Sequence, residues 1–187
     1  GVLFSGVMVM PTKASLAKAI PVESYDILEY QYQRELDILA DYAKGSYTPL
    51  SPYIIQDPYQ ANPLSALILF ETVEPAQVTV NVNGKNQYAT FTFTKEGFTT
   101  HHELAVLGLY PGQENQVNLS IAYQSGQTES VEQSLQTEPL PFDFPNLDVQ
   151  VSQPGKMEPG VDLMISCLDT NYTYLLDANG AVRGYFT

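Results

Sequence analysis

The stretch Gln77-Val-Thr-Val-Asn-Val-Asn-Gly84 decides the fold class of this chain. Its valines alternate with polar residues, which is the period of a β-strand with one buried face. Asn83-Gly84 then predicts a tight hairpin turn. A two- or four-residue loop here puts Ala89, Phe91 and Phe93 on the same face as the valines. The stretch therefore predicts a pair of antiparallel strands.

The same period of two continues along the chain in both directions. Segment 66–72 is apolar enough for a strand buried on both faces, and segments 98–106 and 117–123 alternate. A three-residue turn with Gly126 in the left-handed region brings Val131 and Leu135 to the face of the preceding strand. Short strands with turn signals about every ten residues predict an antiparallel immunoglobulin- or fibronectin-III-like β-sandwich.

Residues 104–123 also read like a corner of fibronectin type III domains. Leu109-Tyr-Pro-Gly112 leads there into an alternating strand. Those domains usually have a corner tyrosine where this chain has Asn115. The sequence leaves open whether a corner hydrogen bond forms.

One amphipathic helix is predicted before the sandwich, over residues 22–44. A connection rich in proline and tyrosine follows, so that 22–62 forms one region ahead of the sandwich at 63–138. Residues 1–21 form a tail whose apolar start is either the remnant of an export or anchor segment or a strand that pairs with the domain.

The tyrosines of the helix and the connection are candidates for an interface with another subunit or domain. We expect about half of the tyrosines in this region to cover the sheet instead. The interface candidates are Tyr25, Tyr32, Tyr42, Tyr47, Tyr53 and Tyr59.

Composition excludes several classes of function. The formal net charge is -13, and no Lys or Arg occurs between Lys95 and Lys156. This balance argues against nucleic acid or an anionic membrane surface as a partner. The single cysteine excludes an internal disulfide framework. The motifs of a nucleophile elbow, a phosphate loop and a zinc protease are absent, so we expect no catalytic, cofactor or metal residue in this chain.

His101-His102-Glu103 is a cluster of residue types that can bind a metal ion. Adjacent side chains of a strand point to opposite faces, so His102 is predicted to be buried and hydrogen bonded. His101 and Glu103 share the polar face, but two ligands do not make a metal site.

A proline-rich boundary begins the last region, 139–187. Three strand candidates follow at 147–151, 161–168 and 172–176, and Asp177-Ala-Asn-Gly180 predicts a turn into a final strand. A lone two-stranded hairpin is marginal in water. We therefore expect the chain to be a piece of a longer protein, with later residues covering this hairpin.

Four motifs in order resemble the N-terminal region of bacterial arylsulfate sulfotransferases, over roughly residues 60 to 187. They are Asn62-Pro-Leu-Ser-Ala-Leu67, Val106-Leu-Gly-Leu-Tyr-Pro-Gly112, Lys156-Met-Glu-Pro-Gly160 and Asp177-Ala-Asn-Gly-Ala-Val-Arg-Gly-Tyr185. Members of that family usually have Arg-Trp-Tyr where this chain has Arg183-Gly184-Tyr185.

The resemblance implies an immunoglobulin-like sandwich followed by the first strands of a β-propeller. Such enzymes transfer a sulfuryl group from a phenolic sulfate ester to a phenol, through a propeller histidine that has no counterpart here. The family implies an extracytoplasmic location, a homodimer, and the chain's own propeller as partner, with no membrane insertion in this segment. The alternative is a free-standing immunoglobulin-like binding module of the cell surface, motivated by the tyrosines.

Overall fold

The computed structural model describes residues 22–148, 152–156, 161–166 and 172–186. Helix α1 spans Val22–Tyr42, close to the predicted 22–44. The described residues fall into two compact units, with the division after Ala40. Within the described part of the chain, α1 and the other helical segments are all too short or too polar to cross a membrane.

Nine strands are present in the described residues, in the antiparallel arrangement that the sequence predicts. They are β1 Tyr53–Gln56, β2 Ser65–Val82, β3 Phe91–Thr94, β4 Thr99–Leu107, β5 Glu114–Tyr123, β6 Thr128–Gln136, β7 Val161–Ser166, β8 Thr173–Asp177 and β9 Val182–Phe186.

The long strand β2 organises the sandwich. Its first half pairs with β1 on one side and β4 on the other, and its second half pairs with β3 and β5. The pairing with β4 shifts between Glu71 and Ala76, where Pro75 lies. Proline donates no ladder hydrogen bond and is tolerated at such irregularities. The segments 66–72 and 77–82, predicted as two strands, are therefore the two halves of β2, and each half pairs with different strands.

The turn between β5 and β6 forms as predicted. Tyr123 and Gln127 close a three-residue loop, and Gly126 has a φ of 91°. Leu119 pairs with Val131, which places both side chains in the core. The odd loop length and the left-handed glycine follow from the need to keep one apolar face buried.

The predicted tight turn at Asn83-Gly84 was wrong. Val82 pairs with Phe91, so the connection is the longer loop 83–90, and Gly84 has no left-handed φ. Asn86 caps a short 3₁₀ helix by accepting hydrogen bonds from the backbone of Tyr88 and Ala89. Phe91 and Phe93 do lie opposite the valines, although Phe93 is 55% exposed.

Strands β7, β8 and β9 form a separate three-stranded sheet. Of the strand candidate 147–151, residues 147 and 148 are not in a strand and the others lie outside the described residues. We call β8, β9 and the turn 178–181 the terminal ribbon.

The expectation that the terminal ribbon lacks cover within these 187 residues was wrong. Its inner residues share one apolar core with the sandwich, because the ribbon packs on it directly. The residues contributed by the ribbon and by the position before it are Tyr172, Tyr174, Leu176, Val182 and Tyr185.

Candidate functional site

The contact between the sandwich and the terminal ribbon is centred on Arg183, whose side chain is fully buried. In the pairing of β8 with β9, Leu176 lies opposite Val182 and Leu175 opposite Gly184. Arg183 is therefore the extra residue of a β-bulge. Bulges redirect a side chain relative to the regular alternation of a strand, and here the long side chain enters the sandwich.

The hydrogen bonds that the Arg183 guanidinium donates are accepted by oxygen atoms of buried residues. Nε donates to the carbonyl of Gly108 and Nη1 to the carbonyl of Ala89, both at 2.6 Å. The guanidinium also lies 3.9 Å from the ring centroid of Tyr110 and 4.6 Å from that of Phe91. Cation–π contacts of this kind strengthen when they are removed from water. Four sandwich residues thus hold one ribbon side chain.

Asp177 supplies the negative charge that Arg183 needs. Its Oδ2 accepts from Arg183 Nη1 at 2.8 Å and from the hydroxyl of Tyr110 at 3.1 Å. Its Oδ1 accepts from the backbone N–H groups of Asn179 and Ala181, as predicted for the turn. Both side chains of the ion pair are completely buried. Burial lowers the pKa of Arg183, and the hydrogen bond to Asp177 acts against this lowering.

The loop 83–90 takes part in the same contact. The 3₁₀ turn capped by Asn86 orients the carbonyl of Ala89 toward Arg183. Asn86 also donates from Nδ2 to Oδ1 of Asn179, at 3.0 Å. The loop is longer than a hairpin needs, and its additional residues contact the ribbon. We call Arg183, Asp177, Tyr110, Phe91 and the loop 83–90 the junction site.

A second polar centre fixes the corner that carries Tyr110. Asn115 is 3% exposed and accepts a 2.7 Å hydrogen bond from the N–H of Tyr110. Its Nδ2 donates to the carbonyls of Tyr110 and Gln113. The corner hydrogen bonds that the sequence left open do form, from an amide instead of a phenol. Asn115 therefore holds Tyr110 in position for the junction site.

A third feature is an aromatic cluster at the edge of the sheet. Tyr42 stacks on Tyr47 with ring centroids 5.2 Å apart, and Tyr53 meets both rings edge-on. The hydroxyl of Tyr42 donates to Glu71, which also contacts Nδ1 of His101 at 2.6 Å. Burial and Glu71 together raise the pKa of Tyr42 to about 12. We call Tyr42, Tyr47, Tyr53, Glu71 and His101 the tyrosine cluster.

The tyrosine cluster borders an open groove of about 440 Å³. Residues from the segment 42–48 and from the segment 71–73 line it. Two of the lining side chains, Tyr42 and Glu71, hydrogen bond to each other.

Comparison with known families agrees with this architecture. Residues 53–138 match the family model described as the arylsulfotransferase Ig-like domain. That part of the chain belongs to this family. The arylsulfotransferase Ig-like domain thus runs from the start of β1 to just beyond the end of β6. No curated protein matches the chain.

The Ig-like domain contains both histidines, in the places the sequence predicts. His102 is 1% exposed, stacks on Phe70 and lies 3.0 Å from Oγ1 of Thr72. Burial, and then the positive charge of Lys95, lower the pKa of His102 to about 4. His101 pairs with Glu71 across two strands. Among the residues that the structure describes, no three His, Cys, Asp or Glu side chains converge as a metal site requires.

The six candidate interface tyrosines lie in different surroundings. Tyr42, Tyr47 and Tyr53 contact one another in the tyrosine cluster, and Tyr32 is 42% exposed on α1. Tyr59 is half-buried, and the side chain of Tyr25 lies outside the described part. Their contact with a second subunit stays a prediction.

Sequence reasoning did not find the junction site. Neither the turn that begins at Asp177 nor the family motif that contains Asp177 and Arg183 predicts that these two side chains form a buried ion pair. One signal was available, because Arg183 is a charged residue within an otherwise apolar strand, and such a charge requires a partner when buried. Close packing also accounts for the glycine at position 184, which lies in the same strand. A Cβ there would lie 3.0 Å from Leu175 and 3.3 Å from Asn62, so a larger side chain would require these two side chains to move.

Proposed function

We propose that this chain is the structural N-terminal part of an arylsulfate sulfotransferase, with the sulfuryl-transfer chemistry outside these 187 residues. In such an enzyme a phenolic sulfate ester gives its sulfuryl group to a second phenol. The observation that carries the proposal is the family match over residues 53–138, together with the sheet that packs on this domain.

The junction site supports a role in holding a following domain. A structural domain needs a rigid connection to its neighbour, and a buried ion pair held by several hydrogen bonds favours one relative position. Nη2 of Arg183 is the one nitrogen of this guanidinium without a hydrogen-bond partner among the described residues. The ribbon held by Arg183 and Asp177 is the candidate for the first strands of a catalytic β-propeller. The Ig-like domain would then position the edge of that propeller.

The two histidines support a role without catalysis. A sulfuryl-accepting nucleophile must be accessible and have a free lone pair. His102 is enclosed between Phe70 and Thr72. His101 uses Nδ1 for its contact with Glu71, and its side chain is 45% exposed, so it lies at the surface and not in an enclosed cleft. The proposal therefore assigns the nucleophile to the propeller.

The proposal includes an extracytoplasmic location and a homodimer formed partly through exposed tyrosines. Tyr32 is the described candidate with the largest exposed fraction. Both features come from the family and are tested separately, by cell fractionation and by sedimentation.

A chromogenic aryl sulfate assay tests the central proposal. The 187-residue chain is mixed with 4-nitrophenyl sulfate and phenol, and we expect no release of 4-nitrophenol. The protein translated from the complete reading frame serves as the positive arm and should release it. Turnover by the 187 residues alone would refute the proposal. A stop codon directly after Thr187 would instead favour a free-standing binding module.

A further inference from the structure

We infer that the arylsulfotransferase Ig-like domain and the terminal ribbon form one cooperative folding unit, with the bulged Arg183 as the residue that joins them. The family match ends at residue 138, whereas the contacts of the sandwich continue to Tyr185. The inference concerns the folding of this chain and does not depend on sulfuryl transfer.

The shared apolar core is the first argument. Tyr174, Leu176 and Val182 are each at most 7% exposed and belong to the cluster that contains the sandwich residues. Opening the ribbon would bring both surfaces into water. Local opening is rare wherever it exposes as much apolar area as global unfolding does.

The polar contacts lead to the same conclusion. Arg183 donates to two sandwich carbonyls, and Tyr110 donates to Asp177 of the ribbon. Each of these bonds involves Arg183 or Asp177, which form one ion pair. Movement of the ribbon away from the sandwich would therefore break them together. Asn62 adds a link on the other side of β9, because its Oδ1 accepts from the N–H groups of both Leu64 and Tyr185.

The linker does not provide this coupling by itself. The ring of Phe144 packs in tilted or edge-on arrangements against Tyr172, Tyr174 and Tyr185, at centroid distances of 5.1 to 5.7 Å. These contacts join the linker to the ribbon. Among the described residues, the ribbon is joined to the Ig-like domain by the shared core, by the junction site and by Asn62. Arg183 is therefore the residue whose loss should uncouple the two.

Native-state hydrogen exchange on the whole chain tests the inference. In the wild type, the slowest amides of β8 and β9 should exchange within about threefold of the slowest amides of β2 and β5, with the same dependence on denaturant. Ribbon amides that exchange a hundredfold or more faster, with a smaller denaturant dependence, would overturn the inference.

A matched pair of variants locates the coupling. In Arg183→Met, ribbon amides should exchange at least about tenfold faster than sandwich amides, because the bonds to Ala89 and Gly108 are lost. Lys44→Met removes the charge of a side chain that is 75% exposed. In this variant the ribbon amides and the sandwich amides should still exchange at similar rates. If Arg183→Met does not fold, the wild-type measurement alone decides. Equal exchange of both sets in a folded Arg183→Met would refute the role of Arg183.

Discussion

A buried arginine illustrates how a single residue determines its surroundings. Removing a guanidinium from water is costly, and the ion pair with Asp177 offsets that cost only because other hydrogen bonds are also made. Gly108, Ala89 and Tyr110 supply those bonds or contacts. Breaking one member of such a pair costs about 3–5 kcal/mol, since the other charge stays buried. The buried ion pair therefore contributes mainly by fixing the position of the ribbon on the sandwich, and contributes less to the net free energy of unfolding.

His102 predicts how stability depends on pH. Its folded pKa of about 4 lies below the usual value of 6.5, so the unfolded chain binds more protons between these values. Stability from this residue is complete above about pH 6.5 and is lost as the pH falls toward 4. We expect a loss of about 2 kcal/mol between pH 7 and pH 5, measured by urea unfolding.

The control for this prediction is the variant His102→Gln. Carboxylates contribute to acid unfolding in both chains, so the difference between them isolates the histidine. The variant should lose less stability than the wild type over the same pH range. An equal loss in both chains would show that His102 does not titrate in this way.

At the scale of single elements, the two connections of the sandwich have different physical origins. The β5–β6 turn is local, because its length and its left-handed glycine follow from the alternation of the strands on either side. The loop 83–90 is not local, because its shape serves the carbonyl of Ala89 and the contact of Asn86 with Asn179. A tight Asn-Gly turn would have placed neither group there.

Gly126 allows this distinction to be tested. A Cβ at this position would meet no atom within 4 Å, so only its φ of 91° opposes a side chain. Gly126→Ala should destabilise the fold by about 1–2 kcal/mol through backbone strain. Gly126→Asn should cost less, because asparagine tolerates left-handed dihedrals. Chemical denaturation of both variants measures this, and an alanine variant as stable as the wild type would contradict it.

At the scale of the whole molecule, the charge of -13 is the dominant long-range term. Acidic groups repel one another at neutral pH, and salt screens this repulsion within about 8–10 Å. An increase in NaCl from about 0.02 to about 0.5 M shortens the distance over which the acidic groups repel one another. We expect this increase to raise the melting temperature by about 2–5 °C at pH 7.

The same titration near the isoelectric point provides the control. The sequence pI is 4.2, and there the net repulsion vanishes. Salt should then have little effect on the melting temperature. A salt-induced decrease at pH 7, or an equal increase at both pH values, would show that net charge does not limit the stability of this chain.

The elements that have local causes can be predicted from the sequence. The helix over Val22–Tyr42, the alternating strands, the left-handed Gly126 and the burial of His102 all follow from periodicity and turn chemistry. The order of the motifs also indicates the arylsulfotransferase family, which the match of residues 53–138 supports.

The contacts that join those elements cannot be predicted in this way, because they form between distant parts of the chain. The loop 83–90, the bulge at Arg183, the replacement of a corner tyrosine by Asn115 and the packing of the ribbon all depend on residues far apart in the chain. A buried charge takes its partners from wherever the fold brings a carbonyl or a carboxylate close. Periodicity describes which face of a strand is buried, but not which distant group will meet it there.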